Sequence, residues 1–147
     1  MKLFKAIDKV LARVGSSKAT ERAYKDALTP EKIAQIPGEQ LGTSELGGIW
    51  AGAQELNGYL FMEVFILDTN KIKTFNGATL TFLGENELKL TSDSNEINSE
   101  YSDFFNRWTT QISFEIAKKD LNFIKRKKYT QLQVDFKKKS LVFDTKK

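Results

Sequence analysis

The 147-residue chain contains no cysteine and no histidine, and only two prolines. Without cysteine there is no disulfide, no thiolate nucleophile and no thiolate metal ligand. Without histidine the usual general base of neutral pH and the commonest zinc and haem ligand are missing. Ser-His-Asp and Cys-His catalysis are thereby excluded from the chemistry this chain supplies alone. No run approaches the roughly eighteen apolar residues a membrane-spanning helix requires. Lys5, Asp8 and Lys9 interrupt the stretch where a secretory signal would place its apolar segment, and no Asn-x-Ser/Thr acceptor occurs. These absences lead to the expectation of a cytoplasmic, bacterial protein that is not an enzyme and uses no cofactor or metal.

What is present suits one compact domain. Hydrophobic residues make up 40% of the chain and eleven residues are phenylalanine, enough to build a single core. The net charge of +4 conceals a division. Residues 1–117 hold 12 Lys/Arg against 16 Asp/Glu, whereas residues 118–147 hold 11 against 3. An acidic body and a basic end are thus joined in one chain, which suggests contact with an acidic protein partner or an anionic surface.

The hydrophobic period divides the chain again. Leu3, Phe4, Ile7, Val10, Leu11 and Val14 recur at three- and four-residue spacing opposite Lys2, Lys5, Lys9 and Arg13, which predicts a helix over 2–14. A second helix is expected over 20–28. A third is expected over 30–36, where Thr29 serves as cap, Pro30 takes the first position and Glu31 lies in the first turn. Residues 42–58 hold five of the nine glycines and read as a connector, with Trp50 as an aromatic anchor. From Tyr59 the period becomes two: 59–67 is apolar at nearly every position, the signature of a strand covered on both faces. Asn76-Gly77 predicts a two-residue hairpin into 78–83. Thr110 to Ile116 and Thr130 to Phe136 alternate, and 117–125 reads as a short helix with Leu121 and Ile124 inward. A turn at Lys138-Lys139 would pair Leu132 with Thr145. The fold class expected is therefore α+β, with N-terminal helices packed on a mostly antiparallel sheet of six to seven strands, a sandwich or a partly closed barrel. The domain expectation is a single unit over 1–147: a helical segment at 1–41, the connector at 42–58 and a β-rich body at 59–147.

Motifs that carry chemistry are few. Gly42 to Gly48 lacks the Lys-Ser/Thr of a phosphate loop, and no G-x-S-x-G elbow occurs. Asp93-Ser94-Asn95 begins like a calcium loop, but Asn98 replaces its glycine and Phe104 its bidentate acid. Glu96, Glu100 and Asp103 would share a face only if that segment were helical. The basic end offers more. Lys125, Arg126, Lys127 and Lys128 precede the penultimate strand, and the predicted hairpin would return Lys146 and Lys147 beside them, with Tyr129 available for stacking on a base or settling at a headgroup level. The leading expectation is a non-enzymatic binding or accessory module acting through its charge-segregated surface on another protein. Binding of anionic lipid or nucleic acid through these lysines is the alternative, and carriage of a hydrophobic small ligand inside the Phe-rich sheet is a further one.

Overall fold

The computed structural model describes residues 28–145. Strands occupy 55% of these and helices 11%. The elements are α1 (Pro30–Ile33), β1 (Glu39–Thr43), β2 (Gly48–Leu56), β3 (Tyr59–Asp68), β4 (Lys73–Thr74), β5 (Thr79–Gly84), β6 (Leu88–Thr91), β7 (Ile97–Asn98), β8 (Glu100–Ser102), β9 (Arg107–Glu115), α2 (Lys118–Arg126), β10 (Tyr129–Phe136) and β11 (Lys139–Thr145). Nine strands form one antiparallel sheet in the order β6-β5-β10-β11-β1-β2-β3-β9-β8, and β4 pairs with β7 in a separate two-stranded ribbon.

The sheet curls until its ends meet. Asp93, two residues beyond β6, donates its amide to the Ser113 carbonyl of β9 at 2.9 Å. Its carboxylate accepts the Glu115 amide at 2.8 Å and the Ser113 hydroxyl at 3.0 Å. Further along the same β9 edge, the Ser99 and Thr110 hydroxyls share a 2.7 Å hydrogen bond, and β8 pairs with residues 107–109. The edge that an open sheet would expose to other chains is thus occupied along its length. Curling lets the inner face bury itself: Ile49, Val64, Ile66, Leu80, Phe82, Leu132, Val134 and Phe143 join one cluster at 1% exposure or less.

β3 is apolar on both faces because it serves two cores. Met62, Val64 and Ile66 face inward, whereas Phe65 and Leu67 join Trp50, Ile36 and Phe105 in an outer cluster against which Leu28, Ile33 and Phe104 pack. Trp50 meets Phe65 edge-on at 6.4 Å between ring centroids.

These findings overturn the α+β expectation. The described residues are mostly β, and their main sheet has nine strands where the sequence pattern suggests six or seven. The helix expected at 2–14, and all but the last residue of the one at 20–28, lie outside the described residues; Leu28 itself is not helical. The helix expected over 30–36 is one turn, with Thr29 Oγ1 accepting the Lys32 amide at 3.3 Å as its cap. The glycine-rich stretch 42–58, expected to be a connector, holds the whole of β2. Asn76-Gly77 closes no hairpin, since β4 turns away from β5 to reach β7. The β10–β11 hairpin is two residues tighter than expected: Phe136 pairs with Lys139 and Leu132 with Phe143, Lys137 taking a left-handed φ of 52° at the turn.

Candidate functional site

The basic corner is built by the end of α2. Leu121 and Ile124, three residues apart, give this segment an apolar helical face, and Ile124 is buried in the core. At its start the Asp120 carboxylate accepts the Ala117 amide at 3.0 Å. At its end Lys127 adopts a left-handed φ of 54° and donates its amide to the Ile124 carbonyl at 3.2 Å, which reverses the chain into β10. The sequence Lys125-Arg126-Lys127-Lys128 is therefore a helix terminus and its cap. Cations there complement the negative end of the helix dipole.

The four basic side chains are all exposed but not equivalent. The Lys127 ammonium is ion-paired with the Glu39 carboxylate at the start of β1. Lys125, Arg126 and Lys128 have no such carboxylate among the described residues. Lys127, Lys128, Glu39, Gln40, Thr130 and Thr145 surround a recess of about 360 Å³. Tyr129 reaches this recess too, yet it is only 5% exposed and its ring meets Phe82 edge-on at 4.9 Å. Burial raises its hydroxyl pKa above the ordinary tyrosine value, and the Glu39 carboxylate adds to the rise. A ring held in the core is not a stacking platform, so Tyr129 serves the corner as a support. Lys146 and Lys147 lie outside the described residues; Thr145, the last described, donates its hydroxyl to the Thr130 carbonyl at 3.2 Å. Lys137, Lys138 and Lys139 stand at the opposite end of the same hairpin.

The corner is not uniformly positive. Gly84 packs so closely here that a β-carbon on it would stand 3.1 Å from the Lys128 carbonyl oxygen. Glu85 and Glu87 follow in the turn between β5 and β6. Nothing in the sequence singles out Glu39, Gln40, Thr130 or Thr145. Glu39 lies 88 residues from Lys127, and no local pattern announces such a pairing.

The acidic middle of the chain is resolved differently. Residues 95–105 form no helix, so Glu96, Glu100 and Asp103 do not share a helical face. Asp93, first residue of the calcium-like sequence, is committed to β9. Glu63 sits 6% exposed beside a recess of about 220 Å³ that Glu96, Gln111 and Ser113 also line. Burial raises its carboxyl pKa, and the Asp93 carboxylate pushes in the same direction. Among the described residues no three such side chains gather closely enough to hold a metal ion, and no helix is long and apolar enough to cross a membrane.

Comparison with protein-family models, with curated proteins and with solved structures finds no match to this chain.

Proposed function

We propose that this protein is a non-catalytic binding module that engages an acidic protein partner through the corner formed by Lys125, Arg126, Lys127 and Lys128. The observation that carries the reading is the unequal use of these cations. Glu39 occupies Lys127, while Lys128 borders the recess and Lys125 and Arg126 stand exposed on the helix end, none of the three with a carboxylate partner among the described residues. Hydrogen-bonding groups of Gln40, Thr130 and Thr145 border the same recess. A contoured patch in which cations alternate with acceptors, and with Glu85 and Glu87 close by, fits protein side chains better than a flat layer of headgroups.

The test is a Lys125→Glu/Arg126→Glu/Lys128→Glu triple variant, measured against poly-glutamate and against phosphatidylglycerol vesicles at low salt and at about 0.3 M salt. Poly-glutamate binding should be salt-sensitive and fall at least about tenfold in the triple variant. The folding stability should stay within about 0.5 kcal/mol of the original, as for exposed surface changes. Poly-glutamate binding that survives charge reversal would remove the corner from the account. Binding to vesicles but not to poly-glutamate would establish the anionic-surface alternative in its place.

A further inference from the structure

A second recess opens on the other side of the Glu39–Lys127 pair, where the curled sheet ends against α2. Its volume is about 250 Å³. Leu41, Ala51, Ala53 and Met62 of the sheet form the floor, Leu121 and Ile124 of α2 form the wall, and Lys125 stands at the rim. The space exists because Ala51 and Ala53 are short where the paired positions on β3 carry Val64 and Met62. The helix is only nine residues, about 13 Å long, and closes the mouth with little more than two side chains.

The electrostatics are simple. Among the described residues two charged groups border the recess, Glu39 and Lys125. Glu39 is already answered by Lys127, which leaves the Lys125 ammonium, among the described residues, as the uncompensated charge at this recess. An apolar trough with a single cation at its lip is complementary to a molecule with an aliphatic body and one negative end. The volume lies just under the roughly 300–1,000 Å³ usual for ligand sites, so the occupant is a short chain and not a fused ring system. We infer that this mouth binds an aliphatic carboxylate, the chain lying over Ala51 and Ala53 and the carboxylate meeting Lys125. This site shares Lys125 with the proposed protein-binding corner, but its apolar lining of Leu41, Ala51, Ala53, Met62, Leu121 and Ile124 is no part of that corner, so failure of the protein-binding reading would leave the Ala53→Phe test intact.

The experiment is a titration of the full chain with octanoate, followed by amide chemical shifts, with octylammonium and butyrate as companions. Octanoate should move the amides of Leu41, Ala51, Ala53, Leu121, Ile124 and Lys125 while leaving β6 and β8 in place. Butyrate and octylammonium should bind more weakly, the first for want of chain and the second for its charge. Ala53→Phe, at an exposed position, should fill the trough and abolish the shifts. Lys125→Glu should weaken octanoate about fivefold, the upper value of an exposed ion pair. Octylammonium binding as tightly as octanoate, shifts scattered over the whole sheet, or undiminished binding in folded Ala53→Phe would each overturn the assignment. Should Ala53→Phe fail to fold, an unchanged octanoate affinity in Lys125→Glu would overturn it as well.

Discussion

The seam along β9 and the corner at the end of α2 use polar side chains in opposite ways. At the seam, Ser99, Thr110, Asp93 and Arg107 spend their hydrogen-bonding capacity on the fold itself. Ser99 Oγ accepts the Ile72 amide at 2.6 Å and is hydrogen-bonded to Thr110, while the buried Arg107 guanidinium donates to the backbone carbonyls of Leu46 and Asn106. At the corner, Lys125, Arg126 and Lys128 stand in solvent without carboxylate partners among the described residues. A buried donor or acceptor without a partner costs about 1–3 kcal/mol, so seam residues are constrained by stability. Exposed cations carry no such constraint. The difference separates what closes the sheet from what remains available to a partner, and the comparison breaks if seam substitutions prove silent.

The largest effect is expected where the outer cluster meets backbone directly. A β-carbon on Gly47 would stand 2.0 Å from the Leu67 carbonyl oxygen, and neither is the movable end of a side chain. Gly47→Ala should destabilise the protein by about 3 kcal/mol, at the upper end of ordinary overpacking. Urea unfolding measures it; a loss below about 0.5 kcal/mol would mean that the β1–β2 connection yields freely.

That glycine also explains why the strand beside it was not legible. Gly48, Gly52, Ala51 and Ala53 have little β propensity, and a glycine-rich run reads as a connector. In the fold, the small residues are demanded by close neighbours. A β-carbon on Gly48 would lie 2.8 Å from the Trp50 ring, and one on Gly42 would lie 2.9 Å from the Asp144 carbonyl oxygen. The requirements at Gly42 and Gly47 come from segments distant in the chain, and none of the three leaves a periodic trace. The two Asn-Gly pairs make the point again. Asn57-Gly58, with φ of 52° and 82°, is the two-residue turn joining β2 to β3, whereas Asn76-Gly77 joins no paired strands. Dipeptide chemistry permits a hairpin, but the length of pairable strand on either side decides whether one forms. The alternating runs at 110–116 and 130–136 were legible because each buries one face. The lysine cluster of the corner was equally visible. Its division by Glu39 was not, since that contact is set by the sheet order.

The next effect in size lies on the seam itself. Ser99→Ala removes the acceptor of the buried Ile72 amide and the partner of Thr110, which is 2% exposed. A loss of about 2 kcal/mol is expected, with Ser99→Thr less damaging wherever its extra methyl is tolerated. Amide exchange should show the loss concentrated at Ile72 and along 109–115. A uniform small loss over the whole chain would mean that the hydroxyl pair does not hold the closure.

The smallest effect probes a seam-side group whose burial works against its charge. Glu63 is 6% exposed, and its carboxyl pKa is raised, first by burial and further by Asp93. A carboxyl whose pKa is higher in the folded than in the unfolded state contributes stability below its unfolded value, about 4.3. That contribution is lost as pH rises through the raised folded value. At neutral pH the ionised side chain therefore opposes folding, and Glu63→Gln, which cannot ionise, should be slightly more stable than the original protein. The advantage should shrink on acidification and vanish near about pH 3, where both unfolded and folded carboxyls are protonated. The measurement is the difference in unfolding free energy between the two proteins across that range. A Glu63→Gln protein that is less stable at neutral pH would show the carboxylate to be held by favourable contacts, and would place Glu63 with the satisfied residues of the seam. A gain confined to neutral pH would instead identify it as a charge the fold tolerates, one that a bound cation would relieve.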